Sequence, residues 1–121
     1  MREYREGNFM ASEKQIIITT MEKIPGVEVS EVLGVVWGSS IKAKHLGKDI
    51  AMGLKKIVGG ELGAYTQMLE EARREAISRM ASQARELGAD AVVGFRFSTS
   101  MVTTGAAEIV AYGTAVKLKW I

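Results

Sequence analysis

Cysteine is absent from all 121 residues, and histidine and proline occur once each. The first absence removes disulfides, thiolate nucleophiles and thiolate metal sites together, and for a cysteine-free chain the cytoplasm is the default location. With one histidine, any Ser-His-Asp arrangement would rest on His45 alone. No paired-carboxylate or multi-ligand zinc spacing occurs. Charge of one sign is scarce too: the net charge is +2, too small by itself to argue for nucleic acid. Apolar runs stop after a few residues, far short of the roughly 20 that a membrane helix needs. The N-terminus, "MREYREGNFMASEKQ", is polar and lacks the apolar core of a signal peptide.

What is present suits one domain. The length is that of a single unit, and 47% hydrophobic with 25% charged residues is an ordinary globular balance. Residues 1–14 are set aside as a flexible N-terminal leader, leaving residues 15–121 as the domain. Residues 16–20 are short, apolar and β-branched and predict a strand. "KIPGV" (23–27) predicts a turn. From Val27 alternation predicts a second strand to residue 38, with Val29, Leu33, Val35 and Trp37 on one face and Val32 and Val36 on the other. Apolar residues on both faces mean cover on both sides along part of its length.

The period then changes. Leu46, Ile50, Leu54 and Ile57/Val58 form a helical stripe over 44–58. After "GGELG", residues 64–87 predict one long helix with Tyr65, Leu69, Ala72, Ala76, Met80, Ala84 and Leu87 on one stripe and Gly88 closing it as a C′ residue. Residues 89–99 return to alternation, with Val93, Phe95 and Phe97 on one face. Residues 105–121 continue as a long strand with Val110, Tyr112, Val116 and Leu118 in step, and the connection at 100–105 suits an antiparallel hairpin. The expected fold is α+β, in the order ββααββ, with two helices on one face of a mostly antiparallel sheet.

Four groups of residues are candidates for function. Gly59, Gly60 and Gly63 in "KKIVGGELGAYT" miss the spacing of both a P-loop and a dinucleotide fingerprint. They read foremost as a hinge between two helices. The minority reading is a backbone-amide site for a small anion at the start of the long helix, with Gly59, Gly60, Glu61 and Tyr65 as ligand-binding residues. His45 and Asp49 have the spacing of two metal ligands on one helix face, although two ligands do not complete a site and a solvated helix start is the blander reading. Lys42, Lys44, Lys48, Lys55 and Lys56 oppose only Asp49 locally, yet no exposed aromatics interleave with them, so nucleic acid is an unlikely partner. Trp37, Tyr65, Tyr112 and Trp120 could stack on a flat ligand, but such residues more often fill a core or a subunit interface.

Taken together, "IPGVEVSEVLGVVWG", "AKHLGKDIAMGLKKIVGGELGAYTQMLEEARREA", "ELGADAVVGFRF" and "AYGTAVKL" resemble the YbjQ-like family over about residues 16–119. The resemblance implies a dodecin-like subunit, a sheet backed by helices, assembling as a homopentamer, and it brings a heavy-metal-binding label. Soft heavy metals favour thiolates, so a chain without cysteine fits that label poorly. A site built from His45 and Asp49 would need further ligands from a neighbouring subunit or water, and would prefer borderline or hard ions. The expected function is a homo-oligomeric binding protein that holds a metal ion or small ligand at subunit interfaces. The alternative is an enzyme of unknown reaction with a site shared between subunits. The cofactor is unknown, and the absence of an acid–base–nucleophile set favours binding over catalysis.

Overall fold

The computed structural model describes residues 4–5, 14–43 and 60–121, with side chains at 14–43 and 63–121. Its strands are β1 (Tyr4–Arg5), β2 (Ile17–Ile18), β3 (Val27–Ala43), β4 (Ala91–Thr103) and β5 (Ala106–Trp120), and α1 (Gly60–Glu86) joins β3 to β4. They form one sheet in the order β1-β2-β4-β5-β3. The expected hairpin is present, with β4 and β5 antiparallel across a turn at Thr104 and Gly105. β5 pairs antiparallel with β3, and β2 pairs parallel with β4. The sheet is therefore mixed, with antiparallel pairs dominating. β1 lies within the leader and pairs antiparallel with β2.

Among the described residues there is one helix, not two, and the order is βββαββ where ββααββ was expected; the helix expected over 44–58 lies outside them. α1 begins about a turn earlier than its periodicity suggested, because Gly60–Gly63 are already helical. Its C-terminus follows expectation. Gly88 has φ +80°, the Gly88 N–H donates to the Arg85 carbonyl, and the Ala89 N–H donates to the Ala84 carbonyl. These two bonds make a Schellman closure. Ala72, Ala76, Ile77, Met80, Ala81 and Ala84 are buried and pack with Val36, Val92, Ile109, Ala111 and Ala115 of the sheet. Leu69 packs at the margin of this core. Leu87, expected on the same stripe, is exposed, because it follows the last helical residue and the chain turns away there.

Small residues set how close the helix comes. A Cβ built on Gly38 would collide with the Ala76 carbonyl oxygen, the Met80 nitrogen and Arg79 Cβ. α1 thus crosses β3 backbone against backbone at Gly38, with four alanines on its buried face.

Two strand assignments need correction, both for the same reason. The β3–β5 register slips between Val32 and Gly34, where Gly34 has φ +133°, and the β4–β5 register slips between Val93 and Arg96, where Gly94 has φ +63°. Each slip is a bulge that only glycine accommodates easily, and an extra residue reverses which face the following side chains occupy. Leu33 therefore joins the helix-side core with Val36, while Val32 shares the opposite face with Val35 and Trp37. Likewise Val93 packs with Ala91 and Val116 on the face opposite Phe95 and Phe97. β3 also runs to Ala43, past the expected end at residue 38.

Candidate functional site

Directly opposed residues of an antiparallel pair project from the same face, so the register defines what lies on the side away from α1. The rows that cross it include Val35–Thr114–Val93, Trp37–Tyr112–Arg96, Ser39–Val110–Ser98 and Ile41–Glu108–Ser100. Among the described residues, one end of this face is covered, by a small cluster in which Ile17, Ile24 and Leu118 pack against Ala91, Val93 and Val116. Beyond it Val32, Val35, Trp37 and Ile41 are 55–65% exposed and Tyr112 is 40% exposed. A run of large apolar side chains in that state is unusual for a monomer. Trp120 and Ile121 are more exposed still.

A cavity of about 450 Å³ adjoins this face. Its apolar walls are Ile24, Val27, Val29, Val93, Leu118 and Ile121, and Glu22, Lys23 and Glu28 supply its charges. Val93 belongs both to the cavity wall and to the row beside Trp37–Tyr112–Arg96.

Polar contacts hold the platform in place from behind. The Trp37 N–H donates to Gln83 Oε1 at 2.7 Å, and Arg79 donates to the Ser39 carbonyl. These bonds also occupy part of the outer edge of β3, an edge strand whose free backbone groups would otherwise invite pairing. Glu75 of α1 accepts from Ser40 Oγ at 3.2 Å, lies 2.8 Å from Lys42 Nζ and 2.9 Å from an Arg79 guanidinium nitrogen. The Lys42 hydrogen bond, aided by Ser40, holds the Glu75 carboxyl below its ordinary range, and the same bond raises Lys42. At the other end, Lys14 lies 2.6 Å from Asp90, which also accepts the Leu118 N–H at 2.8 Å. Those two contacts, Lys14 first, lower the Asp90 pKa.

The structure sorts the residues expected to carry function. Trp37 and Tyr112 come together as cross-strand neighbours, whereas Tyr65 is half-buried on α1 and Trp120 lies at the end of β5. Gly60 and Glu61 stand in the first turn of α1, where backbone N–H groups lack intrahelical acceptors. Gly59, His45 and Asp49 lie outside the described residues. Arg96 was missed. Its position between Phe95 and Phe97 is the signal that could have found it, since alternation turns it away from the face they share.

Residues 16–119 match the YbjQ family model, described as "putative heavy-metal-binding". The chain belongs to the YbjQ-like family. A UPF0145 protein of Archaeoglobus fulgidus is 61% identical over 107 residues, covering 88% of this chain and 99% of the relative. A UPF0145 protein of Thermotoga maritima is 58% identical over 106 residues, covering 88% of this chain and all of the relative. In three dimensions the chain is similar to a DUF74-family protein of unknown function from Pediococcus pentosaceus, with a TM-score of 0.56, 20% identity, and coverage of 86% of this chain and 98% of that one. At that identity the likeness concerns the fold.

The YbjQ description and this chain's donors disagree. Thiolates are the ligands that soft metals select, and the chain has none. Among the described residues no three His, Asp or Glu side chains converge as a metal site would require. Nor, among them, is any helix long and apolar enough to cross a membrane.

Proposed function

We propose that the chain is a homo-oligomeric binding protein that holds a small ligand where its subunits meet, as a ring of five by family resemblance. The observation that supports this is the exposed sheet face: Val32, Val35, Trp37, Ile41 and Tyr112 lie on the side away from α1, 40–65% exposed. One layer of helix can cover one face, and a domain this small leaves the other bare unless a second chain meets it. Trp120 and Ile121 add further exposed apolar surface at the end of β5. Binding is preferred to catalysis because no cysteine and one histidine exclude a Cys-His pair and leave a Ser-His-Asp arrangement resting on His45 alone.

Light scattering coupled to size exclusion tests the assembly. The wild-type chain should remain an oligomer at micromolar concentration. Val35→Asp places a charge on the open face without touching the α1 core, so it should give smaller species with unchanged circular dichroism. A stable wild-type monomer refutes the proposal.

Two subsidiary proposals concern ligands. Any metal would use His45 and Asp49 and complete its shell from a neighbouring subunit or water. A small anion would use the amides around Gly59, Gly60 and Glu61 near Tyr65; phosphate-induced amide shifts confined to that segment would support this, and none would remove it.

A further inference from the structure

We propose that the open face binds a planar heteroaromatic anion of mononucleotide size, with its ring stacked on Trp37 and Tyr112 and its charge met by Arg96. This deepens the reading above and rests on it, since the ligand lies on the face where that reading places the subunit contact.

Four observations lead there. First, the register sets Trp37, Tyr112 and Arg96 side by side on three adjacent strands. Aromatic rings standing on a sheet surface are what flat heterocycles stack upon. Second, the neighbouring row is small and hydroxylated at both ends, Ser39 and Ser98, around Val110. A flat ring can lie over the aromatic row without meeting a wall on that side.

Third, the row is rigidly held. Trp37 precedes Gly38, on which α1 rests directly, and its own N–H is fixed by Gln83. Tyr112 precedes Gly113, where an added Cβ would lie 2.5 Å from Val92 Cγ1 and 3.1 Å from the Val93 carbonyl oxygen. Residues pinned from behind by backbone contact lose little freedom when a ligand arrives. Fourth, one nitrogen of Arg96 donates to the Thr20 carbonyl at 3.1 Å and to the Phe95 carbonyl at 2.8 Å. This ties the guanidinium to the β2 side of β4, one strand from Tyr112, where its fork of further donors suits the carboxylate or phosphate of a ligand whose ring lies on the aromatic pair.

Charge decides between a free small molecule and a strand of nucleic acid. Across the four rows the charged side chains are Arg96 and Glu108. A strand would need several phosphate contacts along its path, whereas a single anionic group needs one.

The test uses the full chain in a Trp120→Phe background, where Trp37 is the one remaining tryptophan and reports directly by fluorescence. Adenosine 5′-monophosphate should quench it saturably, adenosine should bind more weakly, and inorganic phosphate should have no effect. Arg96→Gln should reduce the nucleotide to the affinity of the nucleoside. Tyr112→Leu should weaken both by about fivefold or more, the effect of losing one stacking partner. No saturable quenching at millimolar nucleotide overturns the proposal, as does quenching indifferent to both substitutions. Binding of a single-stranded oligoadenylate about a hundredfold more tightly than the nucleotide overturns it in favour of a strand-binding face. Light scattering on the same samples separates the two readings: a monomer that binds nucleotide refutes the assembly alone, and an oligomer that does not refutes this proposal alone.

Discussion

Replacing Gly38 by alanine adds a single methyl group at the point where α1 rests on β3. That methyl would stand 2.7 Å from Arg79 Cβ and closer still to the Ala76 carbonyl oxygen and the Met80 nitrogen. Ordinary carbon–carbon contacts are about 3.5–4.0 Å, so the helix would have to rise by roughly 1 Å. Two of the three obstructing atoms are helix backbone, and no rotamer change can move them. A rise of that size forfeits about a quarter to a half of each dispersion contact it opens, and the affected side chains include Ala72, Ala76, Met80 and Ala84, all fully buried. Overpacking typically costs about 1–3 kcal/mol. With rigid backbone on both sides the expected loss is about 3 kcal/mol or more, a large part of a domain stability of roughly 5–15 kcal/mol. Gly63→Ala is the control of opposite sign. Gly63 is an exposed position in α1 with nothing within 4 Å of an added Cβ, so alanine there should stabilise by about 0.5–1 kcal/mol. Denaturant unfolding at several protein concentrations measures both and separates subunit dissociation from unfolding. A Gly38→Ala midpoint corresponding to a loss below about 0.5 kcal/mol would show that the helix does not lie where the contact places it, since overpacked sites seldom cost so little.

Glu75 and Asp90 have lowered pKa values, so their stabilisation is complete above the ordinary carboxylate range near pH 4 and is lost as pH falls through the folded values. Lys42 is raised, so its contribution is complete below about pH 10.4 and is lost as pH rises through the folded value; thermal melts across pH should show a plateau falling at both ends, and Glu75→Gln should flatten part of the acid limb. Asp90→Ala removes the acceptor of the Leu118 N–H and should cost about 1–2 kcal/mol, with Asp90→Asn costing less because its amide oxygen can still accept; thermal unfolding of the pair checks the order. Calorimetric titration of tag-free protein with zinc and cadmium should show no tight site, because one histidine and no thiolate cannot close a selective shell within one chain. Micromolar binding abolished by His45→Ala and weakening below about pH 6.5 would overturn this and establish the His45–Asp49 pair.

Much of the architecture was legible in the chain because it depends on short-range periodicity. The run of alanines and Met80 at helical spacing specified the buried stripe of α1, and Gly88 specified its end, since only a residue tolerant of positive φ closes a helix that way. The hairpin between β4 and β5 followed from alternation on both sides of a glycine-containing turn. The sequence also excluded thiolate chemistry outright, because composition needs no fold to be decisive. Face assignments failed where they crossed a bulge. Alternation assumes an unbroken pleat, and Gly34 and Gly94 each insert a residue whose effect depends on the partner strand. Leu33 and Val93 were therefore placed on the wrong faces, and the face that joins Val32 to Val35 and Trp37 could not be drawn in advance. Trp37, Tyr112 and Arg96 are far apart in sequence, and only the register of three strands brings them into one row. That register is set by long-range pairing and by the bulges together, which is why the candidate site, unlike the elements that carry it, is a property of the tertiary structure.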